Sequence, residues 1–398
     1  MSRVDSPIPV AVTEPVAASA QPSYALSELV SYMLKLGTWG FGGPVALVGY
    51  MHRDLVERRR WFSEADYKEG LALAQIAPGP LAAQLAIYLG FTHHRVLGAT
   101  LVGLAFVLPS FVMVLVLGWA YLRYQGLSWM QAVFYGIGAC VIGIIAMSAY
   151  KLSRRTLGAD WLLWAIYLFS AGFTVVLETE SVWVFLGAGA LVWGARVAAK
   201  QQQATVAMFA PTLLMMNPTY DWSTLGKIAV FFAKAGAFVF GSGLAIVPFL
   251  YGGVVKEYAW LNDRQFMDAV AVAMITPGPV VITVGFIGYL VAGFTGACVA
   301  ALATFLPCYL LTIIPAPYFK KYGKRPGIVA FVDGVTTAAI GTIAGAVVVL
   351  GRRSIVDVPT ALIGLMTLAL LWRWRLPEPL LVLAAGGVGL VLYPLTHG

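Results

Sequence analysis

The chain has 398 residues, 60% of them hydrophobic and 11% charged, and a net charge of +8. Soluble domains carry about 25% charged residues, so this balance excludes a water-soluble enzyme and indicates an all-α polytopic membrane protein. The basic residues sit in short loops between apolar runs, a positive-inside pattern rather than a nucleic-acid-binding one.

Residues 1–26 are Pro/Ala-rich and lack the apolar core of a signal peptide, so they read as a disordered tail. Six apolar segments follow within 27–198, at 27–50, 64–90, 95–122, 130–150, 160–177 and 181–198. Residues 199–221 read as a linker. Six more segments fill 222–398, at 224–250, 265–290, 291–318, 328–350, 355–372 and 378–394. The two blocks align. A shift of 199 places Lys35 on Lys234, Gly37 on Gly236 and Trp61 on Trp260, and after a one-residue gap Gly90 meets Gly288, Pro109 meets Pro307 and Gly136 meets Gly334. Glycine and proline positions carry backbone geometry, so an ordered series of such matches indicates duplication of one fold.

Pro78-Gly79-Pro80 and Pro277-Gly278-Pro279 superpose under this shift, each at the centre of an apolar segment. Proline removes a backbone donor and clashes with the preceding turn. In lipid such a break is tolerated only inside protein or beside a wet cavity. If both segments enter and leave by the same face, the basic loops sort to one side: Arg58–Arg60, Lys151, Arg154, Arg155, Arg196 and Arg373. Lys256, Arg264 and Arg353 fall on the other. Each half then has about five crossings plus one broken, re-entrant segment. An odd count makes the repeats inverted, with both termini outside.

The second proline of each triplet can start a half-helix, whose free N–H groups and positive dipole end suit an anion. A second matched break, Phe41-Gly42-Gly43-Pro44 against Phe240-Gly241-Ser242-Gly243, permits close backbone approach. Lys35 and Lys234 lie about two turns before that break, and an intramembrane cation is a site hypothesis by default. Gln75 flanks the first triplet as a hydrogen-bond donor. The substrate-binding set is therefore Lys35, Gly42, Gly43, Gln75, Pro78, Gly79, Pro80, Lys234, Gly241, Ser242, Pro277, Gly278 and Pro279. Asp333 stands as a lone carboxylate in an apolar segment, and Glu69 matches Asp268 ahead of the triplets, so these three are proton-coupling candidates. Each has a structural alternative in an ion pair or a helix start. HExxH, Walker A and GxSxG motifs are absent, and neither a cofactor nor a metal-ligand spacing is present.

The run FGGPVALVGYMHRDLVERRRWFSEADYKEGLALAQIAPGP, and its echo from FGSGLAIVPFL to MITPGP, resemble the chromate ion transporter family, in its long two-domain form. The resemblance covers about residues 27–395. It implies secondary transport of chromate, a tetrahedral oxyanion, exported across a bacterial inner membrane to give chromate resistance. Sulfate, another oxyanion or an anion channel remain alternatives. The implied partners are the oxyanion and the lipid bilayer, with no nucleic acid, and a homodimer is left open.

Overall fold

A computed structural model describes residues 24–41, 43–124, 128–178, 181–198, 224–238, 243, 246–322, 325–374 and 376–397. Among them there are helices and turns and no strand. The helices are α1 (Leu26–Trp39), α2 (Gly43–Met51, continued by π-helical turns His52–Arg58), α3 (Glu64–Ile76), α4 (Leu81–Tyr124), α5 (Ser128–Thr156), α6 (Trp161–Leu177) and α7 (Val182–Trp193). The second half supplies α8 (Thr224–Ala237), α9 (Ile246–Tyr251, continued by Gly252–Glu257), α10 (Asp263–Ile275), α11 (Thr283–Ile313), α12 (Ala316–Tyr322), α13 (Pro326–Ser354), α14 (Val358–Arg373) and α15 (Glu378–His397). Five helical stretches are long and apolar enough to cross a membrane, and α6 and α14 are shorter apolar helices. The chain is a multi-pass membrane protein.

The first apolar segment of each half folds back on itself. Tyr32 on α1 donates to the Tyr50 carbonyl on α2 at 3.2 Å. Tyr24, before α1, stacks on Trp61, after α2, with ring centroids 4.7 Å apart. The reversal occurs at Gly40–Gly43, where Gly43 has φ +73° and a Cβ on Gly40 would lie 2.5 Å from the Leu47 side chain. This corrects the expectation that 27–50 is one of five crossings. It also places Tyr24 at the end of the bundle that carries Arg58–Arg60, while residues 1–23 of the expected tail and the linker 199–221 lie outside the described residues. α8 and α9 repeat the hairpin: Phe231 stacks on Phe249 at 5.4 Å and meets Trp260 edge-on at 5.9 Å.

The Pro-Gly-Pro triplet makes the second hairpin. Ser63 caps α3 by accepting from the Asp66 N–H at 3.0 Å. Gly70 on α3 leaves no room for a side chain against Tyr88 on α4. Phe62, before α3, stacks on His93 with centroids 4.9 Å apart. The chain thus enters and leaves this hairpin at one end. At Arg95 (φ 52°) α4 turns back on itself, and a Cβ on Gly90 would lie 2.5 Å from the Gly98 carbonyl. α11 turns in the same way at Ala292–Gly293, with Gly288 against Gly296. Four long arms per half remain, an even number: the later arm of α4, then α5, α6 and α7; the later arm of α11, then α13, α14 and α15. The odd crossing count expected from the sequence therefore does not hold, and the relation of the halves rests on the contacts at their ends.

The halves exchange partners. α5 packs on α14 and α15, α13 packs on α6 and α7, and α4 packs on α11. Glycine makes these approaches possible. Gly136 abuts the Ala385 carbonyl and Gly334 the Ala188 carbonyl, while a Cβ on Gly143 would lie 2.8 Å from the Gly364 carbonyl.

α13 carries a charged cluster at each end. Near its start, Arg196 donates to Asp333 at 2.6 Å and to Asp160 at 2.7 Å. At its finish, Arg353 pairs with Glu178 at 2.6 Å and with Asp263, the first residue of α10. Phe62 marks the start of the later arm of α4, whereas Tyr121 near its finish donates to Asp268 on α10 at 2.7 Å. At 1.5 Å per residue that arm runs roughly 40 Å. The outer ends of α3 and α10 therefore lie at opposite ends of the bundle.

Candidate functional site

The second Pro-Gly-Pro tip is buried between elements of the first half. The Gly278 N–H donates to the Gly40 carbonyl at 3.0 Å, so one half's triplet closes on the other half's glycine break. Ser110, on the later arm of α4, donates to the Pro277 carbonyl at 2.7 Å. A Cβ on Gly278 would overlap that hydroxyl, and its φ of +92° is one that L side chains rarely adopt. At the first tip Gly79 has φ +144°, and a Cβ there would lie 2.9 Å from the Cys308 sulfur. Ser110 and Cys308 follow the matched Pro109 and Pro307, so each triplet meets the same position of the opposite half. Gln84 donates to the Pro78 carbonyl at 2.8 Å, while its buried Oε1 has no hydrogen-bond partner.

Helices restart directly after the second prolines. α4 begins at Leu81, next to Pro80, and a turn of 3₁₀ helix, Val280–Ile282, follows Pro279. Both restarts leave first-turn N–H groups near the tips. Gly42, Gly241 and Ser242 lie outside the described residues.

Lys35 is exposed and Lys234 half-buried, and neither has an ion-pair partner among the described residues. Gln75 is exposed on α3. Sequence reasoning passed over Glu378, the first residue of α15, whose Oε2 lies 3.7 Å from where a Cβ on Gly43 would stand. Its signal was a carboxylate opening an apolar helix after Pro377.

The three coupling candidates have different surroundings. Glu69 acts electrostatically on Tyr88 on the facing helix. Asp268 is 4% exposed and is held by the Tyr121 hydroxyl. Asp333 is not the isolated carboxylate expected, because Arg196 clamps it to Asp160. The partner is 137 residues away in sequence, beyond the reach of local patterning.

Outside the long helices, Lys256 hydrogen-bonds Glu178 and Arg353 adds its charge, which together hold the Glu178 carboxyl below the usual carboxylate range. A depressed folded pKa contributes stability above the unfolded value of 4.5 and loses it as pH falls through the folded pKa. Thermal denaturation in detergent should therefore show a midpoint that drops on acidification below about pH 4.5. Glu178→Gln should lower the neutral midpoint by a few degrees and flatten that acid limb.

The model of the chromate transporter family matches the chain twice, over residues 27–193 and 226–390. A chromate transport protein of Cupriavidus metallidurans is 66% identical over 400 residues, covering 99% of this chain and 100% of the relative. A probable chromate transport protein of Synechococcus elongatus is 63% identical over 380 residues, covering 94% of this chain and 97% of the relative. A chromate transport protein of Pseudomonas aeruginosa is 29% identical, covering 97% of each. No solved structure matches the chain. With both halves matched and the likeness running through nearly the whole length, the chain belongs to the chromate transporter family.

Proposed function

We propose that this protein is a secondary transporter that exports chromate from the bacterial cytoplasm across the plasma membrane and so confers chromate resistance. The two halves, 27–198 and 222–398, act as inverted repeats whose hairpin tips enter from opposite faces. The observation that carries this reading is the Gly278 N–H to Gly40 carbonyl bond, which joins the tips of two hairpins, one from each half. Broken hairpins meeting between repeats are how such transporters place helix ends around a midplane site. A tetrahedral dianion takes the first-turn N–H groups after Pro80 and Pro279.

The lysines support the same reading. Lys35 lies nine residues into α1, roughly 14 Å from the start of the helix at 1.5 Å per residue. An unpaired ammonium at that depth needs water or an anion beside it. Asp268 is the coupling group the surroundings favour. It is buried against one tyrosine, so a change in its charge is felt by the hairpin that carries the second triplet.

The test is chromate flux in inside-out vesicles with sulfate and molybdate as competitors. Wild-type flux should saturate and be inhibited by competing tetrahedral oxyanions. Lys234→Ala should reduce it at least tenfold with unchanged membrane insertion. Undiminished flux in that variant would remove the lysine from the site, and unsaturable high-conductance current would make the protein a channel.

A further inference from the structure

We infer that a cavity at the outer end of α10 is a second oxyanion site, a vestibule that holds the dianion before or after it reaches the hairpin tips. The cavity has a volume of about 150 Å³, and its polar lining is Tyr121, Gln131, Asn262, Arg264, Gln265 and Asp268. The inference rests on the oxyanion reading above.

The lining is a set of donors. Asn262 Oδ1 accepts from the Gln265 N–H at 2.8 Å, and Gln265 Oε1 accepts from the Asn262 N–H at 3.1 Å. Gln131 Oε1 accepts from the Tyr393 hydroxyl at 3.2 Å. An amide whose oxygen is engaged has its NH₂ left to offer. All three amides are in that state, on two different elements and a cap. Arg264 adds an exposed guanidinium whose charge is felt by Asp268 and Tyr121 but which closes no salt bridge among the described residues. The one carboxylate in the lining, Asp268, is 4% exposed, and one of its oxygens is taken by Tyr121. A fork of N–H donors beside further amide donors matches a tetrahedral anion with an acceptor at every corner.

The repeat supplies an internal control. At the positions matching Asn262, Arg264, Gln265 and Asp268, the first half has Ser63, Ala65, Asp66 and Glu69. Gln131 is matched by Val329. The duplicated framework keeps the capped helix start, but at these positions the first half has an extra carboxylate and no arginine. The donor cluster is therefore a property of one end and not a requirement of the fold.

The experiment is chromate flux in proteoliposomes of the full chain, resolved into KM and maximal rate. Arg264→Ala should raise KM about tenfold with a maximal rate within about twofold, the pattern of lost binding away from the rate-setting step. Gln131→Glu is the second variant. It keeps the acceptor for Tyr393 and replaces a donor with a negative charge, so KM should rise again. Arg264→Lys should recover part of the loss. An unchanged KM in both Arg264→Ala and Gln131→Glu would overturn the vestibule and leave the central site standing. Absence of chromate and sulfate flux in the unsubstituted protein would sink the transport reading itself.

Discussion

Gly278→Ala is expected to reduce chromate flux by about 100-fold, the cost of displacing a site by roughly an ångström. The added methyl would overlap the Ser110 hydroxyl, and its backbone φ of +92° disfavours an L side chain. The overlap and the strain can be separated. Ser110→Ala on the same chain removes the hydroxyl and should recover about tenfold of the flux, while the strain of order 1–3 kcal/mol remains. Ser110→Ala alone loses a hydrogen bond to the Pro277 carbonyl, worth about 1 kcal/mol, and should transport at a moderately reduced rate. If Gly278→Ala carried chromate at the wild-type rate, the tip would be a kink with no part in transport.

The second large effect is on the fold. Gly136→Val and Gly334→Val each place a side chain against a backbone carbonyl, of Ala385 and Ala188 respectively. A carbonyl in a packed helix cannot rotate aside, so the helices must separate, at a cost of about 1–3 kcal/mol or more for each substitution. Solubilised protein should lose its monodisperse peak or melt markedly earlier. Gly138→Ala and Gly172→Ala are the contrast, since nothing lies within 4 Å of a Cβ at either position. Alanine there should leave stability unchanged or raise it by up to about 1 kcal/mol through helix propensity. Equal melting of all four variants would mean that the exchanged packing of α5 and α13 does not hold the protein together.

What was legible in the chain follows from which residues speak locally. The Pro-Gly-Pro breaks were readable because proline acts on its own turn. The duplication was readable because Gly, Pro and Trp recur in order. Of the loop charges, Arg58–Arg60 share an end with Tyr24 and Trp61, while Lys256 and Arg353 meet Glu178 at the finish of α13. The reversal at Gly40–Gly43 was missed, since an apolar run of 24 residues at 27–50 looks alike whether it crosses or returns. The contacts that distinguish the two, Tyr32 to the Tyr50 carbonyl and Tyr24 on Trp61, join residues 18 and 37 apart. The exchange of helices between halves was invisible for a related reason. A glycine at 334 announces a close neighbour but not that the neighbour is Ala188. Asp333 was singled out as a charge in an apolar run, and its distant partner Arg196 had to come from the fold. Glu378 escaped notice because a glutamate at a helix start is ordinary until the glycine break at Gly43 is found beside it.

The inverted arrangement of the two hairpin pairs underlies the whole account, and it can be read directly. Arg58 and Glu257 occupy matched, exposed positions after the first hairpin of each half. Single cysteines are placed there as Arg58→Cys and Glu257→Cys, with Cys298, the native cysteine that is not buried, replaced by alanine. A membrane-impermeant maleimide is then applied to intact cells and to inside-out vesicles. Labelling is expected from opposite sides, with Arg58→Cys reached in inside-out vesicles and Glu257→Cys in intact cells. Labelling of both from the same side would contradict the inverted arrangement.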